Sequence, residues 1–354
     1  MSTLSPIIYR LRGWKLPGTF LLASALLTLP TQICSQQTRG DGREECARLS
    51  ATEDPPADLP SAEERQALAN CSSYDLYFGF GASVDLDKAR KCAYLEREQG
   101  KKLPEIAFGG AGMLAMVYAN GKGASRSFGL ALKFACEVEG APAENSARIE
   151  HLLQLQNENW AGANFNLCDD VTSGLMQGWC AKLQEDLDQV RRAKKLEGLT
   201  QNWKPEERQA YLELQSAANA FFDSSSSKEV DLSGTGRAAF EIEAEAALKD
   251  GFLRALERFE RGQLPKYKAT DLAKADAQLN ALYKRIQSAP NQPIEFTTVT
   301  PDGIKSAQKA WLRYREAWVE FGKLKYPAVL PEGWRVWLTR ERVKMLQVWL
   351  PDGT

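Results

Sequence analysis

The clearest pattern in the chain runs from Ile304 to Phe321, where Ile304, Ala307, Trp311, Tyr314, Trp318 and Phe321 recur at steps of three and four with no breaker between them. Such spacing predicts an α-helix with a mostly aromatic stripe along one face. Gln308, Arg313, Arg315 and Glu320 fall outside that stripe. It reads first as a core face and second as a groove wall that grips a partner. Helical patterns also cover 61–78, 85–98, 109–120, 127–139, 143–157, 181–196, 205–222, 237–262 and 270–286, and a last helix starts at Pro331. Ser61 supplies an N-cap for the first of these, with Glu63 and Glu64 in its first turn. Loops are expected at 198–204, at the serine run 224–229 and at 290–302. The fold class that follows is all-α: stacked helical hairpins followed by an α-helical bundle.

Two stretches align with each other. Tyr77-Phe-Gly-Phe-Gly-Ala-Ser-Val-Asp-Leu-Asp-Lys-Ala89 matches Tyr118-Ala-Asn-Gly-Lys-Gly-Ala-Ser-Arg-Ser-Phe-Gly-Leu-Ala131 with one residue of slack. Self-similar helix pairs imply stacking, because one hairpin is too small to bury its own apolar face.

The first 35 residues differ from the rest. Arg10, Arg12 and Lys15 form a basic start, an apolar run covers 16–29, and no acid occurs before Asp41. This describes a secretory signal peptide, with an apolar run too short for the ~20 residues a membrane span needs. Ile33 before Cys34 argues against a lipoprotein site, so cleavage near Ser35 and export to a periplasm are expected. No stable membrane span is expected after cleavage.

Six cysteines then remain, Cys46, Cys71, Cys92, Cys136, Cys168 and Cys180, an even count that suits disulfides in an exported chain. Cys71 and Cys92 flank the turn at Gly79–Gly81 almost symmetrically, and Cys168 and Cys180 flank Gly174, which leaves Cys46 with Cys136 as the pairing least constrained by spacing. The alternative, a zinc site, lacks any CxxC, and His151 is the one histidine. All six lie before residue 181, which divides the chain into a leader (1–35), a disulfide-bearing helical-repeat domain (36–197) and a helical domain (205–354). Charge divides it similarly. Net charge is −9 over 39–190 and +4 over 301–354. An acidic front domain attracts a cationic partner and repels nucleic acid and anionic membranes, although a solvated surface kept for solubility explains it equally well.

Two family resemblances emerge. Tyr118-Ala-Asn-Gly-Lys-Gly-Ala followed by Leu130-Ala131 resembles the Sel-one-like repeat, and the copy around Gly79, Gly81 and Asp87-Lys88-Ala89 is a degenerate version. That resemblance implies an α-solenoid binding surface rather than an enzyme. Further on, Ala275-Asp276, Leu279-Asn280 and Tyr283 come first, then Ala307-Gln308, Trp311 and Tyr314-Arg315-Glu316, then Thr339, Arg342 and Leu346. In that order they resemble the LprI-like lysozyme-inhibitor domain over about 270–350. The resemblance implies an exported helical domain of the bacterial envelope, with lysozyme inhibition attributed to some members. The resemblance implies two cysteines in this region, and Val319 and Trp334 stand near their places here, so aromatic packing is expected to replace the bridge. Lysozymes are generally cationic, which makes the acidic repeat domain the better face for one.

Candidate chemistry is sparse. Asp169 and Asp170, with Thr172 and Ser173, could form a calcium or acid site, but no ladder of alternating acids follows, and a capped helix start inside a disulfide loop fits better. Glutamates crowd 237–262, where Glu245–Lys249 and Glu257–Arg261 are spaced as helical ion pairs worth about 0.3 kcal/mol each. None is set apart as a hydrolase acid would be. For Asn280, Gln308, Arg315 and Arg342 the structural expectation is cross-bonding between helices. The functional expectation is a non-enzymatic, cofactor-free protein that binds another protein, a cationic lysozyme-type hydrolase being the first candidate. The alternatives are an immunity protein against a periplasm-delivered toxin and a structural component of the cell envelope.

Overall fold

A computed structural model describes residues 42–81, 83–100 and 108–350. The signal-peptide expectation at 1–35, Cys34 included, lies outside the described residues, as does most of the expected break at 100–104. Residues 41–354 form one compact unit. Among the described residues there are thirteen α-helices and no strand. The first seven are α1 (Gly42–Leu49), α2 (Ala62–Ala67), α3 (Ser73–Phe78), α4 (Leu86–Gly100), α5 (Gly110–Asn120), α6 (Phe128–Glu137) and α7 (Pro142–Asn157). The other six are α8 (Gly174–Thr200), α9 (Pro205–Lys228), α10 (Arg237–Glu260), α11 (Asp271–Ser288), α12 (Pro301–Lys325) and α13 (Pro331–Gln347). No described helix is long and apolar enough to cross a membrane.

The helices bury two apolar clusters. One gathers Tyr94, Met113, Leu114, Tyr118, Phe134 and Leu152 from α4–α7, and Leu183 of α8 closes it. The other gathers side chains of α9–α13 around Trp311, Trp318 and Trp334, with Leu196 and Leu199 of α8 packed against it. A single helix therefore touches both clusters. On its N-terminal half α8 approaches α10 closely, because Gly174 and Gly178 lie against Thr235 and Ala238. Farther along, Arg192 bridges Glu185 and Asp250, and Lys249 reaches Glu185 at 2.9 Å.

The hairpins α3–α4 and α5–α6 turn in the same way. Gly79 and Gly81 in one turn, and Gly121 and Gly123 in the other, all adopt the left-handed region. Glycine enters it without the steric cost a Cβ brings. At Gly123 (φ +91°) a Cβ would also meet the Leu86 carbonyl oxygen at 2.4 Å, so the close approach of α4 needs this glycine. Gly123→Ala is expected to lower stability by about 2 kcal/mol, read as an earlier urea midpoint; an unchanged midpoint would refute the close-approach argument.

Disulfides join Cys46 to Cys136, Cys71 to Cys92 and Cys168 to Cys180; spacing pointed to the last two and left the first as the remaining pair. The segment between α1 and α2 lies across α4–α6. Lys133 Nζ donates to Asp54, Arg97 joins Asp54 to Glu137, and the Tyr118 hydroxyl donates to Asp58 at 2.7 Å. Tyr94 and Tyr118 share a 2.7 Å hydrogen bond. Burial pushes the Tyr94 hydroxyl up to about 12.

Four expectations are corrected. The helix expected over 61–78 is two helices: the chain leaves α2 at Leu68, and Ser72 starts α3 by accepting from the Asp75 N–H. The Cys71–Cys92 disulfide holds the intervening turn against α4. The serine run is not a loop. It is the last turn of α9, in which Ser226 and Ser227 donate back to the Asp223 carbonyl, and Ser225 and Ser226 are buried. Hydroxyls satisfied by the preceding turn can be carried inside a helix. The linker expected at 198–204 begins inside α8, and Trp203 is buried in the second cluster. Of the two expected ion pairs, Glu245–Lys249 forms at 3.0 Å, whereas Glu257 meets Lys195 and Arg261 donates to the Glu257 carbonyl instead.

Candidate functional site

The motif residues of the last three helices fall into a buried layer and an outer layer. Arg342 on α13 is fully buried. Its Nε donates to Gln308 Oε1 on α12 at 2.8 Å, and its two terminal nitrogens form a fork on the Glu229 carboxylate, one of them at 2.8 Å. Glu229 caps α9 and also accepts from Ser225 Oγ at 2.9 Å. The guanidinium lies over the Phe221 ring, 5.4 Å from its centre. Three helices are thus tied through one guanidinium, whose planar set of donors suits a bidentate carboxylate.

The outer layer is a chain of half-buried charges across α11, α12 and α13 that ends inward on the fully buried Thr339. Thr339 Oγ1 lies 3.4 Å from Asp276, Arg315 lies 3.5 Å from the same carboxylate, and Arg315 Nε reaches Glu316 at 3.0 Å. Arg335 completes the chain on Glu316 at 2.7 Å. Burial opposes the charge of Glu316, but the Arg335 hydrogen bond, with the charges of both arginines, holds its carboxyl below the usual range. Arg315 also covers the Trp311 ring at 5.1 Å. Tyr283 is half-buried, and that burial raises its hydroxyl although Arg342 pulls the other way. Asn280 is exposed on α11, apart from both layers.

Beneath these layers lies the aromatic stripe. Ile304, Ala307, Trp311, Tyr314, Trp318 and Phe321 are all buried. Trp318 stacks on Trp334 with ring centres 5.8 Å apart and meets Trp337, Phe252 and Phe259 edge-on or tilted. Gly322 lets the Trp334 indole lie against the α12 backbone, where a Cβ would come within 2.5 Å of the ring. Val319 and Trp334 are both fully buried.

Elsewhere, Asp169 closes a reciprocal cap with Asn166, Asp170 bonds His151 Nδ1 at 2.9 Å, and Ser173 caps α8. The acid pair therefore spends its oxygens on helix starts and the histidine. Glu229 and Phe252 escaped the sequence reading. The spacing Leu214, Ala218, Phe221, Ser225 carries the inward face of α9 through the serines to Glu229, and that extension was the available signal.

A helical bundle clamped by a buried guanidinium, with every carboxylate of the cluster held by an arginine or a hydroxyl, is an arrangement for rigidity. Residues 263–346 match the family model described as lysozyme inhibitor LprI, which covers α11, α12 and nearly all of α13. No curated protein and no solved structure matches the chain.

Proposed function

We propose that the chain is an exported, non-enzymatic binding protein that engages and inhibits a lysozyme-type hydrolase in the periplasm. The observation that carries this reading is the match of residues 263–346 to a lysozyme-inhibitor family, on a bundle whose motif residues tie helices together. Three disulfides support it, since they persist in oxidising compartments. The hairpins α3–α4 and α5–α6 are a Sel-one-like module in this reading, and the bundle after α8 is a second module.

The test is lysis of a bacterial cell-wall suspension by a c-type lysozyme with and without the purified chain, residues 36–354. Inhibition that saturates near one chain per enzyme is the expected result. Full lytic activity at a tenfold molar excess would remove the lysozyme reading.

A further inference from the structure

The turn between α11 and α12 carries a phenylalanine that touches nothing. Phe296 is 100% exposed, while the feet of its loop are anchored, Ile294 against the second cluster and Val299 within it. The backbone around it is fixed. Ile294 N–H donates to the Val299 carbonyl at 2.8 Å, and the Thr297 N–H and hydroxyl both donate to the Ile294 carbonyl. A second loop braces the turn: Thr298 N–H donates to Asp231, and Leu232 N–H donates to the Thr298 hydroxyl at 2.8 Å.

The turn is also strained. Glu295 sits at φ +52°, a left-handed conformation that costs a residue with a Cβ about 1–2 kcal/mol. Strain of this kind persists only where the surroundings impose it, and it concentrates at binding and switching sites. Here the consequence of the Glu295 conformation and its braces is to hold an aromatic ring clear of the protein. A loop that needed only to join two helices could relax Glu295 or lay Phe296 on the bundle.

We propose that the Phe296 turn is the anchor of the inhibitory interface, a wedge that enters an apolar pocket rimmed by basic side chains on a cationic lysozyme-type hydrolase. The inference rests on the function proposed above and adds the contacting element. Three features point to that partner. The ring offers a large apolar area with few rotatable bonds, and the braced backbone has little freedom left to lose on binding. The charged side chains that form or bond into the turn are acidic: Glu295 beside the ring, Asp231 under Thr298 and Asp302 on Asn291. This local sign is opposite to the net charge of the terminal stretch, so a cationic surface can approach the turn. The turn also lies inside the residues that match the inhibitor family.

The experiment compares the intact chain, Phe296→Ala, Glu295→Gly and Leu212→Ala, using a c-type lysozyme as the probe. Both lysis inhibition and direct binding by calorimetry are read. Leu212 is also exposed but belongs to a separate groove between α9 and α12 with Glu213 and Arg313, and serves as the control. Since Phe296 makes no contacts, Phe296→Ala should keep its melting temperature while losing about thirtyfold or more in affinity, the loss typical of an anchor side chain. Glu295→Gly should fold at least as well and bind several-fold more weakly, because the turn loosens. Leu212→Ala should match the intact chain. Inhibition by the intact chain with Phe296→Ala equal to it overturns the wedge and leaves the inhibitor reading standing. An intact chain that neither binds nor inhibits overturns both.

Discussion

Arg342→Met is expected to cost about 3–5 kcal/mol, because it removes one partner of a fully buried ion pair and leaves the Glu229 carboxylate without its cation. The Gln308 side-chain oxygen and Phe221 ring lose the same guanidinium. A loss of that size lowers the melting temperature by roughly 5–8 °C for a unit of this length. The double variant Arg342→Met, Glu229→Leu should recover most of it, since a buried pair replaced by apolar side chains of similar volume is often close to neutral. Thermal and urea unfolding of the three proteins check this. If the double variant falls as far as the single one, the uncompensated charge is not the cause and the three-helix tie is mainly a packing arrangement.

Trp318→Ala should be the largest core truncation, at about 3–5 kcal/mol. Trp318 has no exposed surface and meets Trp334, Trp337, Phe252, Phe259 and Phe321 within 6 Å between ring centres. Removing the indole leaves a hole bounded by rigid rings, which close over a cavity poorly. Leu312→Ala on the exposed face of the same helix should move stability by less than about 0.5 kcal/mol. Equal effects from the two substitutions would mean that the stripe is not the core of the bundle. The comparison also tests whether aromatic packing replaces the bridge at Val319 and Trp334, since the stacked Trp318–Trp334 pair joins the helices there.

Much of this architecture was legible because it rests on periodicity. The stripe from Ile304 to Phe321 fixes which face of α12 is inward, and burial follows it at all six positions. Cysteine spacing carried the Cys71–Cys92 disulfide for a related reason: hairpin geometry makes residues symmetric about a tight turn into neighbours. What escaped was whatever depends on a partner distant in sequence. The serines at 225 and 226 look like a loop until the helices beside α9 bury them, because propensity is local and packing is not. Glu229 lies 113 residues from Arg342, and no spacing rule joins them. The Phe296 turn escaped for a third reason. Glu295 is an ordinary residue in an uncommon conformation, and the sequence carries no glycine there to announce it.

The helix α8 serves as a splint. Its 27 residues span about 40 Å, with Leu183 in one apolar cluster and Leu196 and Leu199 against the other. The clusters therefore cannot hinge at their junction without melting helical turns, and a pull on one is delivered to the other as a rigid displacement. The same continuity decides where the chain can be cut. A fragment beginning at residue 205 would lose Leu196, Leu199 and buried Trp203 from its own interior, and a fragment that keeps them must begin within α8, before Leu196.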